Sequence, residues 1–175
     1  MHPSNDSPAF SGLARTACLA PRETERLAAL RALALGDGPT AEAFSRVTRL
    51  MSQTLDVPIV LICLVDESRL HPLARVGTEI ATVAREGSFC AAVIAERQVL
   101  KVEDALSDPR FASSPLVIGP PRARAYLGVP VHTQGGQPIA TLCAMDTRPR
   151  RFSDPSVGQA QDFARIVEDL SLIHI

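Results

Sequence analysis

One stretch of the chain, Val57–Val65, contains only apolar residues and constrains the fold more than any other part of the sequence. It is too short to cross a bilayer as a helix, which needs about 20 apolar residues. After Pro58 the stretch is made of Ile, Val, Leu and Cys, a composition typical of a strand buried on both faces. The sequence therefore predicts a buried strand over Ile59–Val65.

Helical and extended patterns surround this strand. Pro21, with acidic residues in the following turn, predicts the start of a first helix, and apolar residues at spacings of three and four from Phe44 to Leu55 predict a second. A Gly-rich segment, 36–39, separates the two. Ser88 is expected to cap a short helix, and Ser153 to begin a last one. Four further strands are predicted at Leu70–Val76, Val99–Val102, Ala123–His132 and Pro138–Met145.

The strands follow one another in hairpin-like pairs, so the sheet is expected to be mainly antiparallel. Helices from both ends of the chain can cover one face, which makes an α+β domain. The other face is left to the short helix and to the long loop that follows Asp104, and a ligand pocket is expected there.

The 175 residues fit one domain, and we expect a loose tail over 1–19, a folded domain over 20–170 and a C-terminal tail over 171–175. Eighteen basic and 19 acidic side chains leave a net charge of −1, and aromatic residues are few, which argues against a nucleic-acid partner. The N-terminus lacks the pattern of a secretory signal, so we expect a cytoplasmic protein without membrane contact.

The four cysteines, Cys18, Cys63, Cys90 and Cys143, lie far apart in the sequence and form no CxxC pair. The four histidines do not complete a zinc cluster either, so no metal site is predicted. In a reducing compartment these residues are expected to be free thiols, with Cys63 and Cys143 buried in central strands.

Five short segments carry a resemblance to a known family: Ser88–Ala91, Val102–Ala105, Asp108–Phe111, Ala125–Pro130 and Ala140–Asp146. Together they resemble the GAF domains that precede bacterial histidine kinases and diguanylate cyclases, over residues of about 22 to 170. The family usually has Gly where this chain has Ala140. The resemblance implies a GAF-like fold, related to the profilin and PAS folds, with a six-stranded antiparallel sheet between helices. It also implies a role as a regulatory or small-molecule sensor.

The candidate ligand-binding residues all lie on the predicted pocket side; they are Phe89, Cys90, Asp104, Arg110, Phe111 and Tyr126. Cys90, near a helix N-terminus, is either a redox-active thiol or cofactor anchor, or a small buried apolar residue, and the second interpretation is favoured. Free methionine sulfoxide reductases share the GAF fold and carry a similarly placed Cys, but need further cysteines in the loop corresponding to 105–124, where this chain has none. Bilin-binding relatives commonly have His after the Cys, where this chain has Ala91.

The polar candidates allow two interpretations each. Asp104, Asp108 and Arg110 could bind a polar ligand or do acid–base work. Alternatively, Asp104 and Asp108 cap turns while Arg110 pairs with one of them, and this turn interpretation is favoured. Tyr126 either offers its hydroxyl to a ligand or buries its ring, with the hydroxyl bonded to the backbone. Phe111 is expected to anchor the loop to the core.

These features predict a non-catalytic sensor domain of a bacterial signalling protein. The alternatives are a GAF-fold methionine sulfoxide reductase that uses Cys90, or a dimerisation module without ligand. No cofactor is identified. The expected partners are an unknown small molecule, a second copy through the terminal helices, and a kinase or cyclase output domain. The final residues after Leu170 resemble translated read-through, so the natural protein is expected to continue beyond that point.

Overall fold

The computed structural model describes residues 9–33 and 39–173, with side chains described for 21–33 and 40–171. Its helices are α1 Ala9–Ala32, α2 Pro39–Leu55, α3 Phe89–Glu96, α4 Pro115–Ile118 and α5 Asp154–Ile173. Its strands are β1 Ile59–Val65, β2 Arg69–Val76, β3 Val83–Ala84, β4 Leu100–Val102, β5 Ala125–His132 and β6 Pro138–Asp146. A single 3₁₀ turn follows β4, at Ala105–Ser107.

All six strands form one antiparallel sheet in the order β3-β2-β1-β6-β5-β4. The predicted α+β fold with helices on both sides is therefore confirmed. The predicted strand over Ile59–Val65 agrees with β1, which lies between β2 and β6 and is buried over nearly its whole length. The hairpin predicted between β5 and β6 is present as well.

Alternate residues of the central strands enter two separate cores, because successive side chains of a strand point to opposite faces. The helix-side core lies under α1, α2 and α5 and includes Val60 and Ile62 of β1. The α3-side core lies under α3 and the loop that follows β4, and it includes Leu61 and Cys63. Within the described residues, no helix is both long and apolar enough to cross a membrane.

Some boundaries differ from the sequence prediction. Helix α1 begins at Ala9 rather than at Pro21, so Pro21 lies inside it and residues 9–19 are helical rather than loose. Strand β3 was not predicted, because its two residues are too few to carry an alternating pattern. Leu50 and Ile166, expected on inner helix faces, are 48% and 45% exposed. Most of the predicted stop at 36–39 and the first eight residues of the predicted tail lie outside the described residues.

Arg26 on α1 is a charged side chain only 1% exposed, and it attaches this helix to the sheet. Its guanidinium donates two hydrogen bonds to the Glu23 carboxylate, at 2.9 and 2.8 Å, and one to the Val65 carbonyl at 2.6 Å. Arg85, just after β3, donates to the same carboxylate and, at 2.9 Å, to the Asp66 carbonyl. We call this group of residues the Glu23 network. It joins α1 to the β1–β2 turn and to β3.

Three aromatic rings pack against one another in the α3-side core. Phe89, the first residue of α3, stacks on Tyr126 of β5 with ring centroids 4.4 Å apart and an angle of 11° between the planes. Phe111 of the loop lies 4.5 Å from Phe89 at an angle of 33°. All three rings are at most 3% exposed, so the predicted anchoring role of Phe111 agrees with its position.

Replacing Phe111 by Ala is expected to lower the free energy of unfolding by about 3–5 kcal/mol, because a buried aromatic side chain is lost and a cavity remains. Urea unfolding followed by circular dichroism measures this difference. Leu106→Ala in the same loop is the control: Leu106 is 49% exposed, so a change within about 0.5 kcal/mol is expected. A loss below about 1 kcal/mol for Phe111→Ala would show that the ring does not anchor the loop.

The Glu23 network is expected to make stability depend on pH. Hydrogen bonds from Arg26, and then from Arg85, hold the pKa of Glu23 at about 2, below its usual 4.5. A carboxyl group with a lower pKa in the folded state stabilises the protein above its unfolded pKa. This contribution is therefore fully present above about pH 4.5 and is lost as the pH falls towards 2.

Urea unfolding measured at several pH values between 6 and 2 tests this dependence. Glu23→Gln should be less stable than wild type above pH 4.5, and the difference should shrink as the pH falls. Glu42→Gln is the matched control, because the Glu42–Arg46 pair on α2 is exposed and contributes little. A constant difference between Glu23→Gln and wild type over the whole range would contradict the assigned pKa.

Candidate functional site

Three cysteines from three different elements converge beneath α3. The Sγ atoms of Cys63 on β1, Cys90 on α3 and Cys143 on β6 all lie within 4.8 Å of one another, and all three are free thiols. Cys63 pairs with Thr141 in the β1–β6 register, and Cys143 is two residues further along, on the same face of the sheet. We call these residues the three-cysteine cluster.

The start of α3 places Cys90 against the sheet. Ser88 caps the helix: its side chain accepts a hydrogen bond of 3.0 Å from the Ala91 amide, as predicted. Cys90 follows two residues after the cap and is only 5% exposed, since it faces β1 and β6. The expected burial of Cys63 and Cys143 is confirmed, at 5% and 2% exposure.

Hydroxyl groups also surround the cluster. Thr141 donates a hydrogen bond of 3.1 Å from Oγ1 to the Cys90 sulfur, and the Tyr126 hydroxyl lies 3.6 Å from the same sulfur. Hydrogen bonds from the Cys143 and Cys63 thiols, and then from these hydroxyls, lower the pKa of Cys90 well below its ordinary value although burial opposes this. Cys90 is therefore the thiol of the cluster that ionises first.

The other two thiols remain protonated more readily. Hydrogen bonds to Cys143 and Cys90, together with burial, raise the pKa of Cys63. For Cys143, the hydrogen bond with Cys63 lowers the pKa, but the bond with Cys90 and burial outweigh it and raise the pKa overall. The cluster therefore places Cys90, whose pKa is lowered, beside two thiols whose pKa values are raised.

The position of Tyr126 agrees with one of the two interpretations only in part. The ring is buried, and its hydroxyl contacts Cys90 rather than the backbone. Gly128 makes this possible: a Cβ atom at Gly128 would lie 2.5 Å from the Tyr126 hydroxyl. Burial raises the pKa of Tyr126 well above its usual value, so this hydroxyl stays protonated.

A small cavity of about 20 Å³ adjoins the cluster, and uncharged side chains form its walls. This volume corresponds to about one water molecule. An outer cavity of about 60 Å³ lies between β3 and α4, and both cavities are lined by Val83, Ser88 and Leu116. The two cavities are therefore neighbours, separated by these three side chains.

The predicted site residues fall into two groups. Phe89, Cys90 and Tyr126 line the inner cavity, and Phe111 packs behind Phe89. Asp104 and Arg110 lie elsewhere in the loop, and neither lines this cavity. Ligand binding by any of the six residues stays a prediction.

The polar loop residues act as the favoured interpretation predicts. Asp104 caps the 3₁₀ turn by accepting from the Leu106 amide at 3.2 Å, and Arg110 pairs with Asp108 at 2.8 Å. The partner of Asp104 was not predicted: it is Arg124, which donates to its carboxylate at 2.7 and 2.9 Å. The Arg124 hydrogen bond holds the pKa of Asp104 at about 2.

The cluster itself was missed by the sequence reasoning, which found the cysteines too far apart in the chain for a metal site. Part of the cluster could have been inferred from the sequence. Cys63 and Cys143 each lie at the centre of a predicted buried strand, and an antiparallel register can bring two such positions together. Nothing local in the sequence indicates that α3 docks Cys90 beside them.

Comparison with known proteins finds a curated relative by sequence and many solved structures of similar fold. The cyclic di-GMP phosphodiesterase PA2567 of Pseudomonas aeruginosa is 35% identical over 146 residues, which are 83% of this chain and 25% of that protein. The chain therefore spans about a quarter of the length of this relative. A free methionine-R-sulfoxide reductase of Neisseria meningitidis, solved with its substrate, superposes with a TM-score of 0.66, at 16% identity and with 100% of both chains covered.

A GAF domain from an Acinetobacter phosphoenolpyruvate-protein phosphotransferase superposes with a TM-score of 0.64, at 14% identity, over 89% of this chain and 93% of that domain. At such identities these likenesses show a shared fold. The prediction that the domain is not an enzyme is nevertheless contradicted, because free methionine-R-sulfoxide reductases are enzymes built on this same fold. The absence of cysteines from 105–124 was too narrow a reason to exclude catalysis.

The GAF domain profile matches residues 39–169, from the start of α2 to the last turns of α5. This range includes the whole sheet, the three-cysteine cluster and every segment that carries the resemblance seen in the sequence. The chain belongs to the GAF domain family.

Proposed function

We propose that this domain is the sensory part of a bacterial signalling protein, with its input at the three-cysteine cluster and its output through α1 and α5. Family membership supports a regulatory role. The relative from Pseudomonas aeruginosa, named as a cyclic di-GMP phosphodiesterase, is about four times as long as the matched segment, which leaves room for an output domain. By analogy, this domain regulates an output domain in cyclic dinucleotide signalling or a kinase.

The Glu23 network is the observation that carries this proposal. Val83 of β3 lines the cavity beside the cluster, and Arg85 follows β3 by one residue. Arg85 donates a hydrogen bond to Glu23 on α1, and Glu23 also binds the buried Arg26. Contacts therefore run from the cavity wall to a terminal helix.

A chemical change at the cluster would act on this connection by moving α3 and β3. Joining two sulfur atoms shortens their separation to about 2 Å. The sheet strands that carry Cys63 and Cys143 are held by neighbours on both sides, so the adjustment falls largely on α3 and the segment before it. A protein changes its preferred conformation only when an input stabilises one conformation more than the other. A new bond between two cluster sulfurs would supply such a difference.

Oxidation by diamide tests the proposal directly. Two thiols of the cluster lose two protons and two electrons to form a disulfide, and diamide is reduced to the hydrazine. In a Cys18→Ser background, hydrogen exchange followed by mass spectrometry is expected to show at least a threefold change in the exchange rates of α1 amides after treatment. Mass spectrometry of peptides identifies the disulfide in the same samples.

Glu23→Gln removes the charge that joins Arg85 to α1, so its cluster should still oxidise while the response of α1 is lost. Glu42→Gln, which alters an exposed pair on α2, should leave the response intact. An unchanged α1 after complete oxidation would contradict the proposal. So would a cluster that forms no disulfide in diamide.

A second candidate function is reduction of a sulfoxide, which the grouping of three thiols favours. Cys90 would attack the sulfur of a sulfoxide, release the sulfide and become a sulfenic acid. Cys63 or Cys143, within 4.8 Å, would then form a disulfide with Cys90 and release water. Binding of a substrate larger than the inner cavity requires α4 to move aside.

Turnover of free methionine sulfoxide with dithiothreitol as reductant distinguishes this candidate from the sensor. If the domain is a reductase, wild type converts many equivalents of sulfoxide to methionine, and Cys90→Ser lowers the rate at least a hundredfold. Cys18→Ser is the control and should keep the rate of wild type. Product formation equal to that of a protein-free sample would contradict the enzymatic candidate.

A further inference from the structure

We propose that the three-cysteine cluster is a binding site for a trivalent thiophilic ion, of the class of arsenic(III), held by the sulfur atoms of Cys63, Cys90 and Cys143. Such an ion would be the input of the sensor proposed above, and only this regulatory role rests on the proposed function. Binding of the ion depends on the distances, charges and cavities of the described residues alone.

The distances between the sulfur atoms suit a single bound ion. Three bonds of about 2.3 Å at tetrahedral angles place the sulfurs about 3.8 Å apart. The lone pair of arsenic(III) narrows these angles, so the sulfurs come somewhat closer than that. The three Sγ atoms already lie within 4.8 Å of one another, so rotation of the side chains is enough to close the site. Soft ions prefer thiolate ligands over oxygen or nitrogen ligands.

The size of the inner cavity favours an ion over an organic ligand. Its volume is about 20 Å³, which is room for about one water molecule. A ligand with several carbon atoms would require α3 or the loop to move away from the sheet. A single ion between the sulfur atoms requires only that the site contract.

The charge of the site selects a trivalent ion. Three thiolates carry three negative charges, and the cavity walls are uncharged. Apart from one another, the cluster sulfurs have the hydroxyls of Thr141 and Tyr126 as described hydrogen-bond partners, and neither brings a positive charge. A divalent ion would leave one net negative charge and a monovalent ion two, and a buried uncompensated charge is costly. A trivalent ion leaves none.

The binding step balances without any oxidant or reductant. Arsenous acid is neutral and carries three hydroxyl groups on arsenic. Each thiol replaces one of them: a sulfur–arsenic bond forms, an oxygen–arsenic bond breaks, and the thiol proton leaves with the hydroxyl as water. Three thiols and one arsenous acid give one neutral trithiolate and three waters, and arsenic stays trivalent throughout.

The proposed entry to the cluster lies between β3 and α4. The outer cavity of about 60 Å³ shares Val83, Ser88 and Leu116 with the inner one. Leu116 belongs to α4, a helix of four residues that can move more easily than the sheet. A small neutral molecule entering this way would pass Glu86 in the outer cavity, whereas the side chains that line the inner cavity are uncharged.

Native mass spectrometry with sodium arsenite tests the site, in reduced protein with Cys18→Ser. The expected product has the mass of one added arsenic atom less three hydrogens, which only a trithiolate gives. The affinity for arsenite should fall at least tenfold in Cys63→Ala, Cys90→Ala and Cys143→Ala, and any adduct should lose only two hydrogens and keep a hydroxyl group. Leu106→Ala is the control, because Leu106 is exposed and lines neither cavity, so this variant keeps all three sulfurs and should retain the full adduct.

X-ray absorption at the arsenic edge of the wild-type complex counts the sulfur neighbours without any variant, so a variant that fails to fold does not decide the result. Three sulfur neighbours are expected. Two sulfurs and one oxygen, or an adduct that needs Cys18, would overturn the site. Cadmium or zinc binding as tight as arsenite at the same residues would overturn the choice of a trivalent ion.

Hydrogen exchange of α1 on the same samples separates this inference from the proposed function. A trithiolate adduct with unchanged α1 exchange supports the binding site and contradicts the sensor. A response of α1 to diamide without any arsenic adduct supports the sensor and overturns the site.

Discussion

Burial of the central strands on both faces is the constraint on which the rest of the structure depends. Strands β1, β5 and β6 are almost entirely buried, so alternate residues must enter one of two cores. Three long helices close the helix-side core, while α3 and a loop close the other. The sheet thus separates two layers of unequal thickness. The three-cysteine cluster lies in the thinner layer, on the α3 side.

Patterns that act over a few residues could be predicted from the sequence. The apolar run of β1, the turn between β5 and β6 and the Ser88 cap each depend on neighbours within one turn or one hairpin. The turn-capping roles of Asp104 and Asp108 are local in the same sense, since each accepts from an amide two residues later. The local patterns predicted five strands, and the sixth was implied only by the family resemblance, which did not locate it.

Features that depend on register and docking could not be predicted. Cys63 and Cys143 meet because β1 and β6 pair in one particular register, and a shift of one residue would turn one of them to the opposite face. The buried Arg26 has its carbonyl partner at Val65, in a strand that follows α2. A basic residue on a helix of mixed composition is usually exposed, so the sequence contains no sign that this one is buried.

If the domain is a sensor as proposed, the unequal layers would let one fold hold the three-cysteine cluster and still respond to a change there. Close-packed interiors resist small displacements, and the strands carrying Cys63 and Cys143 are paired on both sides. Cys90 lies instead on a helix of eight residues whose preceding segment contains β3 and Arg85. Under the proposed function, a contraction of the cluster would move α3 more than the two paired strands. The segment before α3 contains Arg85, which binds Glu23 on α1, so such a movement would reach a terminal helix while the helix-side core lies on the other face of the sheet.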